Sequence, residues 1–517
     1  MPGRWSKLSK KPDFPIGAIM LLTDGSVVAF EAFYGDPTNP ARRVLQLYPD
    51  EVGNYVTASW FPLQNMHNSR RWFASAVLSD GRLFVAGGEY SDACTPSNVT
   101  GADTNTCELY DPVTDEWINL IPPQHLAAFG DASCCVLENG RVLVGSSSSN
   151  VGAAVIFDPK AGMAGNCFMD AASKGSSNNE ETWTLLPDGS VLTVECYNLP
   201  HAKRYVPQKP GEPDKWVDAG SLAGITDDNG QPVGLVQASS NEIGPAILLP
   251  SGQVFAIGAT GYTALYDPKS GEWSKGPVFP KAPDAGAGNK LKPLQPKDAP
   301  ACLLPNGRVL CSAGPPRDGS SDQDFPGPSR FFEYDGAKLV EVSPPKSPMT
   351  TDDSTSIGWM LLLPTGQVLY SEQSRDLYIY TPDKGNGEPR DEWRPVITDC
   401  PRTLTPGKDH LLKGLQLNGL SQACSYGDDA SMATNYPVIR LEEDTGHSDP
   451  KVYYCRTHDH STMGVATGEI AQLTNFFVYA NVPTGKYQLF VIANGIPSKG
   501  WALEIAAPQV ALRRINN

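Results

Sequence analysis

The chain has 517 residues, enough for several domains and a large buried core. Its formal net charge of −16 argues against a nucleic-acid surface, which needs clustered Lys and Arg. Plentiful Gly (49) and Pro (46) suit short strands joined by many turns, and no stretch approaches the ~18 apolar residues of a membrane span.

The N-terminus, Met1 to Pro12, carries basic residues with no apolar run of leader type behind them. Either Met1 is native and the protein is cytoplasmic, or a leader has been replaced. From there one pattern recurs: an apolar run, a polar-Gly turn, a second apolar run. It reads Met20–Gly25, Val77–Gly81, Val136–Gly140, Leu185–Gly189, Leu248–Gly252, Leu303–Gly307 and Leu362–Gly366. Asp-Gly and Asn-Gly supply the positive φ of a tight hairpin. Most hairpins are followed by a third strand ending in an aromatic, at Tyr110, Phe157, Tyr266 and Tyr380. Several units then close on a Trp-bearing fourth strand, at Trp60, Trp117, Trp216, Trp273 and Trp393. Four strands at a repeat of about 50 residues make a kelch propeller blade. Trp5 also reads as a fourth strand, so either Trp5 or Trp393 closes the seventh blade.

The expected architecture is all-β: a seven-bladed kelch β-propeller over residues 1–398, a linker at 399–413, and an immunoglobulin-like β-sandwich over 414–517. The last part shows short alternating strands, such as Tyr436–Arg440, Lys451–Cys455 and Tyr487–Val491, and no convincing helix. Eleven cysteines leave at least one thiol without an internal partner. Cys94 and Cys107 flank a polar excursion that holds a glycosylation sequon at Asn98. Cys302 and Cys311 flank an Asn-Gly turn and are expected opposite each other, as a bond or as two buried thiols.

With these residues in view, the chain resembles the galactose oxidase and glyoxal oxidase family over nearly its whole length. Ser69–Ser75 leading into Leu78–Phe84 is similar to that family's second blade. Val482–Val491 followed by Asn494–Pro497 is similar to the end of its C-terminal domain. The resemblance implies an extracellular protein and a Cu(II) held by two histidines and two tyrosines, one tyrosine joined to a cysteine. Counting back from each turn glycine, the cysteine position falls on Pro15 or Ile16, the cross-linked tyrosine on Trp72 or Phe73, and a Tyr-His pair on Ser356-Ile357. None of these side chains is a phenolate, thiolate or imidazole, so a copper radical site is not expected. Tyr90, over the site, and the loop histidines His458 and His460 are the features the resemblance would retain.

The first residues of the innermost strands line one mouth of a propeller's channel. In that slot stand Arg70, Arg71 and Trp72, then Asp131, Glu180 and Glu181, Glu242 and Asp298, with Asp352 and Asp353 a little further back in blade seven. Two readings stand. Either the carboxylates bind backbone amides and lock the ring, or they form an acidic pocket rimmed by Arg71, Trp72 and Tyr90 and capped by His458 and His460. In the second reading Glu180, Glu242, Asp298, His458 and His460 are the candidate catalytic residues, and Asp131 joins them as a metal candidate. Oxygen donors favour Ca, Mg or Mn, and added histidines would favour Mn, Fe or Zn. The expected ligand is a small polar molecule, a saccharide first. The rivals are a metal-dependent lyase or hydrolase, a binding or scaffold module, and a copper radical oxidase.

Overall fold

The seven turn glycines, from Gly25 to Gly366, all adopt positive φ, between 75° and 88°. Each donates its N–H to a leucine carbonyl three residues back, from Leu22 to Leu363. The computed structural model describes residues 3–32, 41–89, 103–129, 132–161, 167–317, 325–383, 385, 387–426, 432–446 and 449–507. Each turn joins the two inner strands of one four-stranded antiparallel blade, and seven such blades form the propeller. Among the described residues the only helices are short 3-10 turns, and none is long and apolar enough to cross a membrane.

The innermost strands are Ile16–Leu21, Ala74–Val77, Cys134–Val136, Thr184–Leu185, Ala246–Leu248, Ala301–Leu303 and Trp359–Leu362. Nearly all of their residues are buried, because each blade packs between two others. Blade seven is closed by the N-terminal strand Arg4–Lys7, which pairs with Tyr378–Thr381. Trp5 is therefore the closing tryptophan, and Trp393 sits instead on a 3-10 turn, Asp391–Trp393.

The outer strands carry a repeated lock. Each of five indoles donates to a carbonyl of the preceding blade's outer edge. The pairs are Trp5 to Ser343 at 2.7 Å, Trp60 to Lys10 at 3.1 Å, Trp117 to Gln64 at 2.9 Å, Trp216 to Ala172 at 2.9 Å and Trp273 to Ala219 at 2.8 Å. A buried indole N–H needs such a partner.

The C-terminal strands form one curled nine-stranded sheet, consistent with the expected β-sandwich. It encloses its own core of Leu412, Ile439, Phe476, Leu489 and Val491, among others. Strands Val396–Asp399, Thr403–Leu404 and Lys408–Leu415 belong to this sheet, so the stretch 399–413, expected as a linker, is largely strand. The Tyr487 hydroxyl donates to the Pro483 carbonyl at 2.9 Å, as a tyrosine at the corner of a sandwich does.

This sheet seats on the turn side of the propeller. Thr457 N–H reaches Thr23, His460 N–H reaches Ser79, and Met463 N–H reaches Glu138. From it the segment Ser421–Tyr426 enters the central channel. Gln422 accepts from Leu185 N–H at 2.8 Å, and strand Cys424–Ser425 adds a fifth, innermost strand to blade six. Cys302 therefore faces Cys424, while Cys311 pairs with Ala301. The expected Cys302–Cys311 opposition fails by one residue, because the hairpin register places Leu310 across from Cys302. Cys94 and Asn98 lie outside the described residues; the ten described cysteines are all buried free thiols.

Trp5 packs its ring against Phe331, Tyr370 and Tyr380 besides making the indole bond. Trp5→Ala is expected to lower unfolding free energy by about 3 kcal/mol, read as a lower urea midpoint.

Candidate functional site at the channel mouth

Blades four, five and six each present one carboxylate where the inner strand begins. Glu180 and Asp298 stand nine residues before their turn glycines, and Glu242 stands ten before its own. One oxygen from each of Glu180, Glu242 and Asp298 lies within 4.8 Å of the other two. Glu180 and Glu242 are buried and Asp298 is half-buried. Carboxylates this close repel one another unless a neighbouring positive charge, a shared proton or a cation offsets them.

The backbone beneath them is strained. Trp72, Glu180 and Asp298, all nine residues before the turn, have φ of 46°, 61° and 40°, and Asn241 beside Glu242 has 63°. Left-handed backbone at a residue with a Cβ costs ~1–3 kcal/mol and aims the side chain where a regular strand would not. The three blades are cross-tied at this level. Thr182 Oγ1 donates to the Gly244 carbonyl at 3.0 Å, and Asp298 N–H donates to the Ile243 carbonyl at 3.2 Å. Gly244 is required by this approach: a Cβ there would meet the Ile257 and Pro296 carbonyl oxygens at 2.6 Å each.

The far side of the mouth belongs to blade two. Arg71 stacks on the Trp72 indole, its guanidinium carbon 3.5 Å from the ring centre. Trp72 Nε1 donates to the Tyr426 hydroxyl at 3.0 Å, and Tyr426 donates to the Ser356 carbonyl. Tyr426 thus floors the mouth with a residue of the C-terminal part. Behind it the inserted segment leaves a cavity of about 20 Å³, lined by Thr182, Trp183, Gln422 and Cys424 among others. That is room for about one water. Asn179 and Tyr197 were not singled out from the sequence. Asn179 donates to Glu180 Oε1 and Tyr197 Oη at 3.2 Å each, holding a 47 % exposed tyrosine beside the carboxylates.

Other residues from the same reading stand elsewhere. Glu181 is fully buried in an ion pair with Lys174 and accepts from Thr193 Oγ1 at 2.9 Å. Burial pushes its carboxyl up, against the pull of Lys174. Arg70 is spent on Glu108 at 2.7 Å and on the Gly87 and Thr106 carbonyls. Asp353 is held by Lys346 at 2.7 Å and by Thr350. Burial opposes ionisation there, but these bonds keep its carboxyl below the usual range. Tyr90 and Asp131 lie outside the described residues.

His458 and His460 do not cap the mouth; they stand at the opposite end of the channel. His458 bridges Asp409 and Asp459 at 2.8 Å each, on the C-terminal sheet. His460 is buried behind the blade-two turn, with Nδ1 2.9 Å from Thr474 Oγ1. They were placed by family resemblance, whereas the segment that reaches the mouth side is Ser421–Tyr426.

The residues do not fit the copper of the resembled family. Ile16 and Phe73 are buried apolar side chains, Trp72 is an indole with a tyrosine partner, and among the described residues no histidine belongs to the carboxylate cluster. A set of three carboxylates suits hard cations such as Ca, Mg or Mn instead.

The kelch motif model matches residues 70–120, which span blade two. No curated protein matches the chain. Among solved structures, it is similar to a fungal alcohol oxidase of the AA5 family in complex with copper. That likeness has 15 % identity and a TM-score of 0.49, and covers 98 % of this chain and 100 % of the other. It is also similar to a catalytically inactive virginiamycin B lyase variant from Staphylococcus aureus with quinupristin. There the identity is 11 % and the TM-score 0.41, over 73 % of this chain and 99 % of the other.

Burial pushes the His460 imidazole down to about 3, and nearby His458 acts in the same sense. An unfolded histidine titrates near ~6.5, so below that pH the unfolded chain binds a proton that the folded one refuses. Stability is therefore lost as pH falls from about 6.5 toward 3, by up to ~1.4 kcal/mol per pH unit from this group. Urea unfolding of wild type and His460→Leu at pH 7, 6, 5 and 4 is expected to show a shallower decline in the variant.

Proposed function

We propose that this kelch propeller binds a small polar ligand, a saccharide, at the acidic mouth of its channel, without copper. One observation carries the reading: Glu180, Glu242 and Asp298, from three successive blades, converge within 4.8 Å. Ionised carboxylates only accept hydrogen bonds, and sugar hydroxyls donate them. Arg71 stacked on Trp72, and the exposed Tyr197, offer flat faces of the kind that cover a pyranose ring. The same oxygens would hold a Ca, Mg or Mn ion, which bridges readily to vicinal hydroxyls.

A second reading rests on the crowding itself. With three carboxyl groups this close, a protonated one could serve as acid while an ionised neighbour serves as base. This supports a metal-dependent lyase or hydrolase built on the carboxylates alone, with His458 and His460 outside it.

Titration calorimetry with CaCl2, MgCl2 and MnCl2, and with neutral mono- and disaccharides, tests the site. Wild type is expected to bind at least one saccharide. Glu180→Gln and Glu242→Gln are expected to weaken it about tenfold or more (~1.4 kcal/mol) with little change in melting temperature. A lowered melting temperature with unchanged binding would instead assign the carboxylates to ring locking. Release of a cleaved or unsaturated sugar would favour the second reading.

A further inference from the structure

Cys302 lies on the innermost strand of blade six, and Cys424 lies on the strand from the C-terminal part that runs antiparallel beside it. They are direct cross-strand partners, with Sγ atoms 3.6 Å apart. One step along the register, Leu303 N–H donates to the Ala423 carbonyl at 2.7 Å. Hydrogen-bonded and non-hydrogen-bonded pairs alternate in an antiparallel ladder, so Cys302 and Cys424 form the non-hydrogen-bonded kind. There opposing Cα atoms approach to about 4.5 Å and side chains face each other. That spacing falls within the disulfide range, and small side-chain rotations bring the sulfurs to bonding distance.

We infer that Cys302 and Cys424 are a cross-linking site, joined as a disulfide when the chain folds in the presence of a thiol–disulfide oxidant. The step balances with a glutathione-type disulfide. One cysteine thiolate attacks it and expels a glutathione thiolate; the second attacks the mixed disulfide and expels another. The two cysteines lose two protons and two electrons in all, and the oxidant becomes two thiols. Both side chains are sealed in the channel, at 0 % and 3 % exposure, and burial raises the Cys302 thiol far above its ordinary range. Exchange therefore occurs during folding, before blades six and seven close over the pair.

The link would join positions 122 residues apart and fix the C-terminal segment inside the ring. Cys424 is two residues from Tyr426, which accepts from Trp72 at the mouth. The staple thus sets the floor of the mouth through covalent structure.

The full chain is unfolded in urea with reductant and refolded in mixed reduced and oxidised glutathione. The folded product is then denatured without reductant, remaining thiols are blocked with iodoacetamide, and the protein is digested without reduction for mass spectrometry. The expected result is a reducible peptide pair joining Cys302 to Cys424, with a higher melting temperature for oxidised than for reduced wild type. Alkylation of both cysteines in the folded product, or their pairing with other cysteines, would overturn the inference. The measurement uses wild type alone, so a variant that does not fold cannot obscure it.

Discussion

A ring of seven sheets stands on contacts between neighbours, and here one contact is repeated: an indole N–H from one blade donates to a carbonyl of the blade before it. It occurs in blades seven, one, two, four and five. Each bond gives a partly or fully covered indole a partner, and each ties the outer strand of one sheet to the next. The inner ends of the blades are held differently, by hydroxyl-to-backbone ties such as Thr182 to Gly244 and Thr355 to Lys297. With outer and inner edges both fixed, residues at equivalent slots of different blades are brought to one mouth.

That precision explains how three acids can be gathered against their mutual repulsion. The left-handed residues Glu180, Asn241 and Asp298 are costly taken singly, and the cross-ties of blades four to six hold them in place. Gly244 allows the backbones to come close enough. The C-terminal sheet contributes through Ser421–Tyr426, which fills the channel and ends on Trp72.

Much of this was legible in the sequence, because the turn chemistry is local. Asp-Gly or Asn-Gly between apolar runs fixes a hairpin, and counting back from each glycine located Glu180, Glu242 and Asp298. What depended on distant parts of the chain was not legible. Trp5 and Trp393 carry the same local signal, and only pairing across the ring chooses Trp5. His458 and His460 looked like a cap, but the seating of the whole C-terminal sheet puts them at the far end. Cys302 and Cys311 were misjudged by one residue, since a turn's register cannot be read from symmetry about its glycine. The positive φ values under the acids leave no composition signal in residues that are not glycine.

The N-terminal strand has a consequence for how the molecule is made. Lys7 and its partner Asp376 are 369 residues apart, so a ribosome must deliver nearly three quarters of the chain before the first strand finds its place. Until then six complete sheets wait with an unpaired edge at one side and an unpaired N-terminus at the other. Bringing ends so far apart together carries an entropic cost that grows only as the logarithm of the separation, so the delay is one of order rather than of energy. Birth of the ring is thus the late event of synthesis, and a nascent chain stalled before residue 378 would present that edge strand to chaperones and to other copies of itself.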